Sequence, residues 1–121
     1  MTFDNNKAIY LQMADRICDE VLAGTYADDD RIPSVREYAA MLGVNSNTVV
    51  KAYDELSRAN IIYNKRGLGY YVTPGARTQI RQERRHRFMH EQLPELFRHM
   101  QLLGIGIDEV RAAWHGDKAA D

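Results

Sequence analysis

Residues Pro33 to Lys51 read PSVREYAAMLGVNSNTVVK, and they hold two short helix patterns joined by a tight turn. Ser34 with Glu37 three residues on forms a capping box. The hydroxyl accepts an orphan amide at the helix start, and the carboxylate reaches back to the Ser34 amide. Val35, Tyr38, Ala39 and Leu42 then share one face at helical spacing. Gly43 predicts the stop, because a C-terminal cap favours a left-handed residue. Val44 falls in the turn. Asn45 predicts the cap of a second helix, with Thr48, Val49, Ala52, Tyr53 and Leu56 on its core face. Two helices joined by a turn of about 3–4 residues make a helix-turn-helix. The run Asn45-Ser46-Asn47-Thr48 puts short polar side chains at the start of the second helix, where they suit a polar partner.

Charge places this motif in a basic setting. The whole chain of 121 residues has a net charge of −1, but the distribution is uneven. Residues 1–30 carry Lys7 and Arg16 against seven acids, a net −5. Residues 31–87 carry eleven Lys and Arg against Glu37, Asp54, Glu55 and Glu83, a net +7. Residues 88–121 carry three bases against six acids, a net −3. A basic middle that contains the helix-turn-helix points to a polyanion. Apolar residues make up 45%, as in a globular domain. Cys18 stands alone, so there is no disulfide frame and no cysteine zinc site, and its helical setting reads as core. No apolar run approaches the ~18–20 residues that span a bilayer, and no signal peptide opens the chain. The expected location is the cytoplasm.

Ahead of the motif, Met1 to Lys7 is a polar lead-in. Ile9, Tyr10, Met13, Ile17, Val21 and Leu22 then trace a helical stripe that Gly24 ends. Thr25 to Asp30 reads as an Asp-rich turn, without the interleaved ligands of a calcium loop. Beyond the motif, Asn60 closes the third helix. Ile61-Ile62-Tyr63 and Tyr70-Tyr71-Val72-Thr73 read as two strands around the turn Asn64 to Gly69. Three helices and a hairpin make a winged helix-turn-helix, with the hairpin as the wing.

Pro74-Gly75 breaks the pattern. A helical stretch follows from about Ala76 to Leu103, first rich in arginine (Arg77, Arg81, Arg84, Arg85, Arg87) and then apolar. Pro94 predicts a kink or two abutting helices, since a proline inside a helix costs about 3 kcal/mol. Gly104-Ile105-Gly106 is a turn, Ile107 to His115 a short last helix, and Gly116 to Asp121 a loose tail. The fold class is therefore mainly α, with residues 1–74 as the winged helix-turn-helix and 75–121 as a two-helix segment. That segment is too short to enclose a core of its own. Phe88, Leu93, Leu96, Phe97, Met100, Leu103, Val110 and Trp114 call for a partner surface, either their own winged domain or the same segment of a second copy, and the Pro74-Gly75 break and Arg-rich spacer favour the second copy. A twofold dimer presents two reading helices to two half-sites.

Motifs for catalysis are missing: the chain has no GxSxG, HExxH, CxxC or phosphate loop. His86 and His90 stand four apart, as two metal ligands could, but no cysteine or HExxH glutamate supports a site, and no metal or cofactor is expected. Double-stranded DNA fits better, because its phosphates attract Arg and Lys and its major groove admits one helix. Ser46 and Asn47, with the Asn45 amide, would reach base edges. Thr48 and Lys51 suit phosphates. Arg36, with Ser34 beside it at the start of the preceding helix, would reach phosphate or guanine. Lys65 and Arg66 at the wing tip would enter the minor groove, where Gly67 allows close approach.

The run IPSVREYAAMLGVNSNTVVKAYDEL followed by RGLGYYV resembles the DNA-binding domain of the GntR family of bacterial transcription regulators. AIYLQMADRI resembles that family's first helix, where a proline often stands in place of Ala8. Residues 7–73 carry the likeness. Most members continue into a large ligand-binding domain, whereas only 47 residues, 75–121, follow the winged domain here. That is similar to the short YtrA-like branch, whose C-terminal helices serve dimerisation, and MQLLGIGIDEV resembles that branch's ending. The resemblance implies DNA contact by Arg36, by Ser46, Asn47 and Thr48, and by Arg66 and Gly67 of the wing. It also implies a homodimeric repressor of an inverted-repeat operator, in a branch that often controls ABC transporter genes. It implies no effector pocket in the two terminal helices. The alternatives are a winged-helix module that binds protein, and a metal- or ligand-responsive sensor using His86, His90 or the dimer cleft.

Overall fold

The computed structural model describes residues 7–120, with side chains over 7–116; most of the polar lead-in lies outside that range. The chain divides into two compact units, Met1–Gln82 and Glu83–Asp121.

In the first unit, α1 spans Ile9–Leu22. Met13, Ile17 and Val21 of the expected stripe are buried, and Ala14 and Cys18 join them. Ile9 is exposed, and Tyr10 and Leu22 are half-buried. Helix α2 covers Val35–Leu42 and ends on Gly43 in the left-handed region, φ 65. Helix α3 covers Ser46–Arg58, and Asn60 follows it at φ 60. Val49, Ala52, Tyr53 and Leu56 are buried, whereas Thr48 is only half-buried. α1 packs chiefly on α3. Each fully buried Val, Ile or Met side chain at this junction contributes roughly 1.5–3 kcal/mol.

The wing differs in detail from the expected hairpin. β1 spans Ile62–Lys65 and β2 spans Gly69–Val72, antiparallel, with Ile62 opposite Val72 and Lys65 opposite Gly69. The turn is therefore only Arg66-Gly67-Leu68; Asn64 and Lys65 belong to the first strand. Ile61 precedes the strand and bonds back to the end of α3, its amide donating to the Leu56 carbonyl at 2.9 Å.

The Asp-rich turn is more than a turn. The Asp29 amide donates to Val72 O at 2.8 Å, the Val72 amide to Asp30 O at 2.9 Å, and the Ile32 amide to Tyr70 O at 3.0 Å. Residues 29–32 thus line the free edge of β2, with Arg31 bridged to Tyr71. The three carboxylates each take a local or cross-chain donor. Asp30 Oδ2 accepts from the Ala27 amide, Asp29 Oδ1 from the Tyr63 hydroxyl, and Asp28 Oδ1 from the Gly75 amide. Asp29 sits at φ 64, a conformation that Asp tolerates better than most residues.

Helix α4 covers Ala76–Arg87. Its first turns belong to the first core: Ala76 and Ile80 are buried there, and Gln79 Nε2 donates to Ala59 O at 2.7 Å.

In the second unit a π-helical turn, Phe88–Gln92, leads into α5, Leu93–Leu103. The Leu93 amide donates to Phe88 O, five residues back. Pro94 then falls at the start of α5, where its missing N–H costs least. The expected break at Pro94 is thus a widened turn just before it, which accommodates a ring that would clash with the carbonyl four residues back. Gly104 caps α5 at φ 69. Helix α6 runs Ile107–Ala120, past the expected stop at His115. An interior glycine such as Gly116 weakens a helix by only about 1 kcal/mol, so it does not end one. Asp108 and Glu109 fill its first turn, where the helix dipole favours acids.

Candidate nucleic-acid interface

The start of α2 is built by its cap. Ser34 Oγ accepts from the Glu37 amide at 3.1 Å, and the Ser34 amide donates to Glu37 Oε1 at 3.2 Å. These hydrogen bonds, the side-chain one first, hold the Glu37 carboxyl below its ordinary range, and nearby Arg31 adds to the effect. With two orphan amides satisfied, the exposed side chain of Arg36 stands on a fixed first turn.

The start of α3 is built the same way. Asn45 Oδ1 accepts from the Asn47 amide at 2.8 Å, and Asn45 O from the Thr48 amide at 3.0 Å. Because Asn45 uses its side chain as the cap, Ser46 and Asn47 keep theirs exposed. Lys51, a turn further on, is exposed too. Thr48 is half-buried, in keeping with a place between the core face and the open face. The helical period adds a residue that the sequence reading passed over: Val50, 41% exposed, lies between Ser46 and Asp54 on the open face. Its position four residues after Ser46 and three after Asn47 was the available signal. An apolar side chain there suits the thymine methyl group.

The wing places Arg66 and Gly67 in the tip turn, Gly67 at φ 78. The Leu68 amide closes that turn on Lys65 O at 2.8 Å. Lys65 is not at the tip: its Nζ lies 4.8 Å from the centre of the Tyr71 ring. Tyr71 also donates its hydroxyl to Leu68 O at 3.2 Å and stacks on Tyr63, centroids 5.8 Å apart. All of these DNA-contact candidates lie in the first unit.

The eight apolar candidates of the second unit divide. Met100 is buried, and Leu93 and Val110 are half-buried. Phe88, Leu96, Phe97, Leu103 and Trp114 are exposed, as are Met89, Leu102, Ile105 and Ile107. His86 and His90 are stacked with ring centroids 4.1 Å apart, and His90 Nδ1 bonds His86 O at 2.9 Å. No helix among the described residues is long and apolar enough to cross a membrane.

Comparison with known proteins agrees with this architecture. Residues 9–72 match the family of bacterial regulatory proteins, gntR family. The HTH-type transcriptional repressor YtrA of Bacillus subtilis is 34% identical over 113 residues, covering 93% of this chain and 85% of its own. The HTH-type transcriptional regulator YhcF of Bacillus subtilis is 33% identical over 108 residues, covering 89% and 88%. A crystal structure of a GntR-family transcriptional regulator from Bacteroides thetaiotaomicron superposes with a TM-score of 0.78 at 45% identity, covering 93% of this chain and 98% of that one. A capped helix-turn-helix, a two-stranded wing and a helical C-terminal segment, matched along most of their length by these relatives, make this chain a member of the GntR family of DNA-binding transcription regulators and not an enzyme.

Proposed function

We propose that this chain is a homodimeric transcription repressor, acting in the cytoplasm, that reads an inverted-repeat operator. The observation that carries the proposal is the start of α3. Asn45 is spent on the cap, and Ser46 and Asn47 are left exposed on a capped helix end. Asn pairs bidentately with adenine, so Asn47 is the leading base reader. Val50 would pack on a thymine methyl group beside it. Arg36, Thr48 and Lys51 grip phosphates around that groove, with Ser34 at the mouth of α2, and Arg66 and Gly67 reach the flanking minor groove.

Pairing falls to residues 75–121. Phe88, Leu96, Phe97, Leu103 and Trp114 are exposed in the second unit, and large apolar side chains exposed together suit an interface. The repressing role is supported by the likeness to YtrA, which carries that description. No effector is assigned.

Selection of bound sequences from random duplex DNA tests the whole proposal. A dimer returns an inverted repeat with half-sites about one helical turn apart. A single half-site would refute the dimer, and no enrichment at all would refute sequence-specific reading. Transcription from a promoter that carries the recovered site should fall when the protein is added; a rise would refute repression.

A further inference from the structure

The outer face of the wing holds a cationic seat apart from the reading helix and the wing tip. Pairing sets Tyr63 opposite Tyr71 and Lys65 opposite Gly69, and the bridge to Tyr71 adds Arg31 to the row. Paired residues share a face of a sheet, so Arg31, Tyr63, Tyr71, Lys65 and Gly69 all lie on one side. Ile62 and Val72 point the other way and are buried.

Two cations converge on that face. The Arg31 side chain runs across Gly69: a Cβ placed at position 69 would lie 3.1 Å from Arg31 Nε and 3.6 Å from Nη2. Lys65 is directly opposite Gly69, and its Nζ is held over the Tyr71 ring. Gly69, at φ 105, thus supplies both the backbone conformation and the open space between the two stems. Lys65 has no acid partner among the described residues, and Arg31 has only Glu37, 3.6 Å away and open to water. An exposed pair of that kind is weak. An incoming phosphate would meet two cations on one face with little competing acid, and the Arg fork matches its oxygens. Glu37 is also the residue that closes the α2 cap, so the seat is continuous with the Ser34–Arg36 end of the candidate interface.

We infer that Arg31 and Lys65 form a phosphate seat over Gly69 that grips the DNA backbone, with the Tyr71 ring positioning Lys65. The inference rests on the DNA-binding reading above but names contacts outside its base-reading helix. Neither cation faces a base-edge pattern in this role, so the seat adds affinity without sequence preference.

The test is fluorescence anisotropy of Arg31→Gln and Lys65→Gln with the selected operator and with a random duplex of equal length, across a series of NaCl concentrations. Each variant should weaken both duplexes by a common factor and leave their ratio unchanged. The slope of log K against log salt should fall by about 0.9 for each phosphate released. Glu37→Gln keeps the cap hydrogen bond but removes the charge beside Arg31, and should bind more tightly. An unchanged slope in both Gln variants would overturn the seat while leaving operator reading intact. So would equal weakening by Glu37→Gln and Arg31→Gln, which would make Arg31 a brace for α2. Failure of the wild type to bind either duplex would overturn the DNA-binding reading itself, and the seat with it.

Discussion

Tyr53 donates its phenolic hydrogen to the carbonyl oxygen of Pro33 at 2.6 Å. This one bond ties the middle of α3 to the residue just before the α2 cap, so it fixes the two helices of the motif against each other. Tyr53 is fully buried, and burial pushes its phenol far above the ordinary tyrosine range. Its ring also meets Tyr70 edge-on at 5.0 Å, which connects the motif to the wing.

Replacing Tyr53 by Phe leaves the Pro33 carbonyl without its partner and should cost about 1–3 kcal/mol. Tyr38, equally buried, has a hydroxyl without a well-formed hydrogen bond, with the Arg16 guanidinium its nearby polar neighbour. Tyr38→Phe should therefore cost less than Tyr53→Phe. Urea unfolding of the two variants, compared by midpoint with the slope unchanged, separates these outcomes.

Ser34→Ala removes the α2 cap and should destabilise by about 1 kcal/mol. It should also alter the acid limb of the stability curve. The folded state holds the Glu37 carboxyl below its reference value of 4.5, chiefly through Ser34. A depressed folded pKa gives stability that is present above 4.5 and lost as pH falls toward the folded value. The wild type should lose stability more steeply than Ser34→Ala below pH 4.5, as followed by thermal melts at stepped pH.

Asn47→Ala and Arg36→Ala should each abolish tight operator binding while the helical circular dichroism persists. Both side chains are exposed, so neither loss removes core packing. Loss of the Asn47 base contact should cost about 1–3 kcal/mol of discrimination. Operator and random duplex should then differ less in a competition gel shift for Asn47→Ala than for the wild type.

Phe97→Asp places a charge among exposed apolar side chains of α5. It should convert the protein from dimer to monomer in sedimentation velocity, with the fold retained. Binding to a full inverted repeat should then drop toward that of a single half-site. A wild type that sediments as a monomer would refute the pairing surface before any variant is made.

Most of the helix-turn-helix was legible because its determinants are local. Ser34 and Glu37, Asn45, Gly43 and Asn60 each act within four residues of where they sit, and each appears in its expected role. What the sequence hid is non-local. Nothing in Asp28-Asp29-Asp30 announces a partner more than forty residues away in Val72 or Gly75. The wing turn is shorter than the sequence predicts because Asn64 and Lys65 have poor strand propensity, and cross-strand pairing with Tyr70 and Gly69 overrides it. Pro94 predicts a kink or two abutting helices, and the chain meets it with a π-helical turn just upstream, a form that the residue pattern does not specify. Arg31 was overlooked because its neighbour Gly69 is brought to it only by the sheet.

The pairing of Arg31 with Tyr71 also bears on the order in which the molecule is made. Synthesis delivers residues 29–32 first, and the strand they pair with emerges only after all of α2 and α3. Until then that segment has no β2 amides or carbonyls to bond, and closing so long a loop carries an entropic cost that local helix formation does not. The helices can form as they leave the ribosome, while the wing waits for Val72. A nascent chain halted before β2 would carry α2 and α3 without the strand pairing of residues 29–32 beside them.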